Sequence, residues 1–394
     1  MGFFALLRFG GYAVAALAAA ALTANGAQAG FEVIHHFGDR PEDGRDPQSG
    51  LTIDLGAGRL YGTTYSGGVG EKGTVFEIGP FGGSDYRVLY RFNGTGGAGP
   101  KASVIVRNGR LYGTTYLGGD KNWGTIYELR PGVGASVLYS FSADSKDGYF
   151  PMAPLTMSSD GGTLYGVTVS DGQYYAGTAF SFRLSDRRLT TLAYLAVLGG
   201  LSPESGLLLE GQTLYGTAAR SGSGSGIAFK VTVDGSASSS LFKFANDSAR
   251  SPAGSLAWDG DGFVGTASTQ RIGGAIYKVT TNSQPAGHKL LFSFAPKPPS
   301  REYVNGSDPI GGLTKFGDYF YGTTRKGGKD DCGTVFRFKL PNQFTKLHDF
   351  TCGGGGFWPV GNLAVVSDGK IISIYGTTSA GGAHHNGTVF LLRL

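Results

Sequence analysis

Cysteine is almost absent. The 394 residues hold two, Cys332 and Cys352, which excludes a small scaffold held together by several disulfides. Long apolar runs are equally scarce. Ala13–Ala24 is shorter than the roughly 20 residues a membrane-spanning helix needs. The next candidate, Leu189–Leu201, falls where the phase of an internal repeat places a strand and its exit loop. Like charges never gather in a block of five or six, and no basic helix can be drawn. A formal net charge of +5 and a pI near 9.0 therefore give no footprint for nucleic acid. No Gly-x-Ser-x-Gly elbow, His-Glu-x-x-His pair, phosphate-binding loop or dinucleotide fingerprint stands in a supporting context. Asp259–Gly262 looks like a fragment of a calcium loop but lacks the later ligands. The sequence thus offers no catalytic residue and no cofactor.

Glycine is abundant, at 69 residues, and it is ordered. Tyr-Gly-Thr-Thr stands at Tyr61–Thr64, Tyr112–Thr115, Tyr321–Thr324 and Tyr375–Thr378. Eroded copies begin at Tyr165, Tyr215 and Val264, so successive copies are 49 to 57 residues apart. A second marker keeps the same count: Pro47, Pro100, Pro151, Pro203, Pro252, Pro309 and Pro359 each precede one copy by 12 to 16 residues. Two unrelated markers at one period mean one supersecondary unit repeated seven times.

The unit after Pro100 reads as four short strands: Ala102–Val106, Leu111–Tyr116, Gly124–Leu129 and Ser136–Phe141. Asn108-Gly109 supplies a tight turn between the first two. Four such strands per repeat make the blade of a β-propeller, so the fold class is all-β, with seven four-stranded antiparallel blades. The last repeat ends after its third strand, while Phe31–Phe37 at the other end of the chain resembles the fourth strands of other repeats, each ending in Phe. The N-terminal strand should complete the C-terminal blade and leave no open sheet edge. In that pairing Val33 lies near Phe390, and His36 falls opposite Val389.

Residues 1–29 read as a signal peptide: Arg8, an Ala-rich core, and Ala27-Gln28-Ala29 as the cleavage signature. Residues 30–394 then form one propeller domain, exported to the periplasm or medium as a monomer with no membrane span. Cys332 and Cys352 lie equally far from a turn at 341–343, so an antiparallel hairpin would bring them face to face. An oxidising compartment permits the disulfide, with two free thiols as the alternative.

Short a–b turns and longer, more varied b–c and d–a loops place ligand binding on the b–c/d–a face, near the central channel. The candidates there are Trp123, Tyr174, Tyr175 and Tyr303, whose rings could stack on a sugar or anchor a protein. Tyr149, Phe150, Phe357 and Trp358 directly precede the marker proline and read first as inter-blade packing. His384 and His385 join the candidates from the closing blade. A metal would need imidazoles converging on one point, and His35 and His36 project to opposite faces of a strand, so no metal site is assigned.

The segments Leu60–Gly68 with Gly73–Phe76, Tyr321–Gly328 with Gly333–Phe336, and Tyr375–Gly382 with Gly387–Phe390 resemble the GloVer tandem repeat of secreted bacterial choice-of-anchor proteins. The resemblance spans nearly all of the chain after residue 29 and is eroded in the third to fifth copies. It implies a secreted repeat protein and transfers no catalytic residue. The expectation is a non-enzymatic binding module for a glycan or extracellular protein. The alternative is a polysaccharide hydrolase or lyase working at the channel, on fold analogy.

Overall fold

Seven four-stranded antiparallel sheets succeed one another along the chain in the computed structural model. It describes residues 30–80, 85–143, 146–171, 174, 176–221, 225–244, 250–268, 273–281, 286–296 and 302–394. The proposed signal peptide lies outside the described residues. The sheets form a seven-bladed β-propeller, and the strands of each are named a to d outward from the channel. Blade 1 holds Thr52–Asp54, Arg59–Thr64, Thr74–Ile78 and Arg87–Arg91. Blade 2 holds Ile105–Arg107, Arg110–Thr115, Thr125–Arg130 and Gly134–Ser140. Strand a of blades 3 to 6 is Thr156–Met157, Leu208–Glu210, Pro252–Trp258 and Thr314–Phe316. Blade 7 combines Phe357–Ser367, Ile372–Ala380 and Thr388–Arg393 with Gly30–His36. Among the described residues no helix is long and apolar enough to cross a membrane.

The tetrad forms most of strand b, and its residues have separate tasks. The glycine lies opposite an aromatic residue of strand c, as Gly322 does opposite Phe336. A Cβ at Gly322 would lie 2.7 Å from that ring, and the six equivalent positions are tighter still. The last threonine bonds the first residue of strand c, buried: Thr64 to Thr74, Thr115 to Thr125, Thr324 to Thr334 and Thr378 to Thr388, each at 2.8 Å. Thr168 and Thr178 do the same at 2.9 Å. In the eroded blades 4 and 5 both partners are apolar together, Ala218 opposite Ile227 and Ala267 opposite Ala275. Losing one hydroxyl alone would strand the other in a dry interior.

In blades 1, 5 and 7 the third residue of the tetrad reaches the next blade. Thr63 donates to the Ala102 carbonyl (3.0 Å), Thr266 to Gly311 (2.9 Å) and Thr377 to Ser49 (2.6 Å). The last of these crosses from blade 7 to blade 1 and closes the ring.

Strand d carries a bulge in every blade, with one extra residue against strand c. The extra residue is Leu89, Leu138, Leu192, Leu241, Leu291 or Leu347 in blades 1 to 6 and Ile34 in blade 7. Val33 pairs with Phe390, as the sequence indicates, but the bulge at Ile34 moves the next pairs by one residue. His35, not His36, therefore stands opposite Val389. The Leu189–Leu201 segment also differs in detail: strand Arg188–Tyr194 passes into a one-turn helix, Leu195–Leu198, before Gly200–Leu201.

Cys332 and Cys352 form the expected disulfide, with Cα atoms 5.5 Å apart. It ties the start of strand c to the end of strand d in blade 6.

Candidate functional site

The marker proline builds the face on which a ligand site is sought. Each proline packs on the glycine that opens strand c of the preceding blade. A Cβ on Gly387 would meet Pro47 Cδ at 2.8 Å, as one on Gly73 would meet Pro100. The residue before each proline is left-handed: Asp46, Gly99, Phe150, Ser202, Ser251, Asp308 and Trp358 have φ of 53° to 60°. Its N–H donates to the preceding blade, for instance Asp46 to Asn386 (3.0 Å), Phe150 to Trp123 (3.0 Å) and Trp358 to Cys332 (3.1 Å). Its carbonyl accepts from the residue after the tetrad, as Asp46 does from Tyr65 and Asp308 from Arg325, both at 3.0 Å. The backbone is thus fixed sevenfold while the side chains vary.

The d–a and b–c loops do share a face. Gly44–Arg45 pairs with Ser66–Gly67, and Gly200–Leu201 with Arg220–Ser221. Single bridges at Ala98 and Leu117, Tyr149 and Ser170, and Ser307 and Lys326 repeat the arrangement.

Over blades 1 to 3 this face carries a continuous aromatic belt. The Lys101 ammonium lies 4.1 Å from the Tyr116 ring centroid and 5.3 Å from that of Tyr65. Tyr116 stacks on Phe150 at 4.8 Å, and Trp123 packs on Phe150 at 4.9 Å and on Tyr149 at 4.7 Å. Tyr149 is buried, whereas Tyr65, Tyr116, Trp123 and Phe150 are half-exposed.

Charged groups from blades 1, 2 and 4 converge on Lys101. Burial lowers its pKa, while Glu204 and Asp46 work against the fall. Burial raises the Asp46 carboxyl, opposed by the Gln48 side chain at 2.6 Å and by Lys101. It raises Glu204 as well, opposed by Arg220 and Lys101. Glu204 is exposed. Blades 2 and 4 are not neighbours in the ring, so the field between Lys101 and Glu204 spans the channel mouth. A mouth with rings, a cation and two carboxyls of raised pKa can stack a sugar and bond its hydroxyls. On the far side Asp308 takes Arg325 (2.6 Å) and the Ser268 hydroxyl.

Of the residues singled out from sequence, Trp123 joins this belt. Tyr174 is exposed and meets Tyr194 edge-on at 5.8 Å. Tyr175 lies outside the described residues. Tyr303 is half-buried with its ring over Gly273, in a packing position. His384 is exposed and bonds Asp39 at 2.7 Å, while His385 is an exposed turn residue at φ 59°. These residues do not form one site. Trp358 is exposed, contrary to its packing assignment.

Lys101, Tyr65, Tyr116, Asp46 and Glu204 were missed. Their signal was positional: each flanks a marker, either directly after the tetrad or directly beside the proline. Aligning the seven repeats by phase isolates those columns as the variable ones.

Fold and site together define a closed propeller repeat protein with a decorated channel mouth. The chain belongs to the Gloeobacter/Verrucomicrobia repeat family, whose pattern matches residues 19–168 and 270–394. No curated protein matches it. Among solved structures it is similar to an oligogalacturonate lyase in complex with manganese, at 12% identity and a TM-score of 0.53, over 93% of this chain and 96% of that one. It also resembles TolB from Acinetobacter baumannii, at 14% identity and TM-score 0.41, over 69% of this chain and 58% of that one. The GH74 enzyme of Niastella koreensis is similar at 11% identity and TM-score 0.44, over 86% and 56%. Such identities speak for the fold alone.

Proposed function

We propose that the protein is a secreted glycan-binding module whose ligand seats at the channel mouth on the b–c/d–a face. The observation that carries this reading is the belt Tyr65–Lys101–Tyr116–Phe150–Trp123 beside the Asp46 and Glu204 carboxyls. Half-exposed rings give a sugar a stacking platform, and the carboxyls bond its hydroxyls. Export rests on the signal-peptide pattern of residues 1–29, with the Cys332–Cys352 bridge compatible. Edman sequencing of the exported protein should begin at Gly30.

The test is a glycan array followed by titration of the best ligand against Trp123 fluorescence. Tyr116→Ala should weaken binding at least tenfold without changing the melting temperature. An array with no hits rejects the reading, and capture of a protein instead would move the ligand class.

One observation favours a hydrolase as the second reading: burial raises both the Asp46 and the Glu204 carboxyl, and each acts on the same cation, Lys101, the direction of shift a general acid needs. Release of reducing ends from a bound polysaccharide, abolished by Asp46→Asn or Glu204→Gln with binding retained, would establish it.

A further inference from the structure

The opposite face holds a second cleft. It lies between blades 2 and 3, beside the a–b and c–d turns, with a volume of about 590 Å³. Four arginines line it, Arg110 and Arg130 from blade 2 and Arg183 and Arg187 from blade 3, against two carboxylates, Glu128 and Asp160. All four arginines are exposed.

Glu128 is the buried member. Arg130 holds it at 2.5 Å and Arg110 at 3.2 Å. Burial works to raise this carboxyl, and the bonds from Arg130, Arg110 and Tyr112 outweigh it, so it stays ionised below its ordinary range. One carboxylate therefore fixes two guanidinium groups at the cleft wall and leaves their other N–H donors toward solvent. Across the cleft Arg183 meets Asp186 at 3.4 Å, and Arg187 has no ion-pair partner among the described residues. Arg187 is also held in the left-handed region (φ 55°), which sets its direction. Leu138 and Leu184 add an apolar part to the lining.

We infer that this cleft binds a segment of a polyuronate chain, a glycan carrying a carboxylate on each sugar. Planar guanidinium forks match carboxylates two bonds at a time. Positive charge faces the cleft from both blades, as a linear polyanion lying along it requires. The volume suits a short oligosaccharide. A single-stranded nucleic acid fits less well, because no exposed aromatic ring lines the cleft to stack on bases. The site is on the other face from the channel mouth and does not depend on the reading given for it.

The test is calorimetric titration of the full chain with an alginate oligomer, with a neutral malto-oligosaccharide of equal length and with a single-stranded oligonucleotide. Arg183→Ala/Arg187→Ala should weaken alginate binding at least tenfold. The matched double Lys243→Ala/Lys289→Ala, which removes two exposed charges elsewhere, should leave it unchanged. If the arginine double fails to fold, Arg187→Ala alone, in an exposed turn, should still show a severalfold loss. Absence of alginate binding, equal losses in both doubles or preference for the oligonucleotide would each overturn the inference.

Discussion

The Phe37 N–H donates to the carbonyl of Gly387 at 3.1 Å, joining residues from opposite ends of the chain. The same bond recurs from Phe92 to Gly73, Phe141 to Gly124 and Phe350 to Gly333. The N-terminal strand therefore occupies a true strand-d position, and the Phe37 ring is wholly buried against Phe76 of blade 1 at 5.2 Å. Phe37→Ala should cost about 3–5 kcal/mol, the usual range for a buried phenylalanine. Guanidinium unfolding measures it, and a loss below about 1 kcal/mol would show that closure is not cooperative with the rest of the ring.

Closure also carries a charge. Asp43 accepts from His35 Nε2 (3.2 Å), from the N–H groups of Gly38 (2.9 Å) and Gly44 (2.7 Å), and from the Tyr86 hydroxyl. Burial pushes this carboxyl up, but the bonds from His35 and Tyr86 prevail and hold its pKa below the ordinary carboxylate value. A depressed carboxyl contributes stability that is fully present above its unfolded pKa, near 3.9, and is lost as pH falls through its folded value. Stability of the wild type should thus drop below about pH 4, and Asp43→Asn should flatten that limb while lowering the plateau. Melting temperatures across an acid series would show an unchanged limb if the coupling is absent.

Blades 4 and 5 suggest a repair experiment. Thr64→Ala should leave Thr74 Oγ1 unpaired in the interior at a cost of about 1–3 kcal/mol. Adding Thr74→Ile reproduces the Ala218–Ile227 pairing of blade 4, and the double variant should lose less than the two single losses summed. Strict additivity would mean that the two hydroxyls act independently.

The blade 6 disulfide closes a sequence separation of 20 residues. Replacing both cysteines by alanine should lower stability by about 3 kcal/mol in the chain-entropy account. Equal unfolding midpoints for the wild type and the double variant would contradict it.

The blade count, the closing strand and the disulfide were legible because each rests on a marker that repeats or on symmetric spacing about a turn. The bulge was not: nothing in Val33–His36 announces that Ile34 stands outside the pairing, although Leu at the equivalent place in six other strands hints at it once strands are superposed. The pre-proline clamp was hidden for the opposite reason. Asp, Gly, Phe, Ser and Trp all occupy it, since inter-blade backbone bonds impose its geometry and the side chain does not. The channel mouth stayed unread because Lys101 and Glu204 are about a hundred residues apart in sequence, and only the stacking of successive blades brings Glu204 within electrostatic reach of Lys101. Sequence reasoning chose aromatics by loop composition and so favoured Tyr303, whose ring covers a glycine, over Tyr65 and Tyr116.

The left-handed residues before the seven prolines have a wider consequence. A scaffold that immobilises the main chain at seven equivalent points, yet carries aspartate, glycine, phenylalanine, serine and tryptophan among them, can exchange its surface chemistry without renegotiating its architecture. Relatives sharing the frame are free to diverge in what they grip, and swapping those seven residues between them should carry specificity from one chain to another.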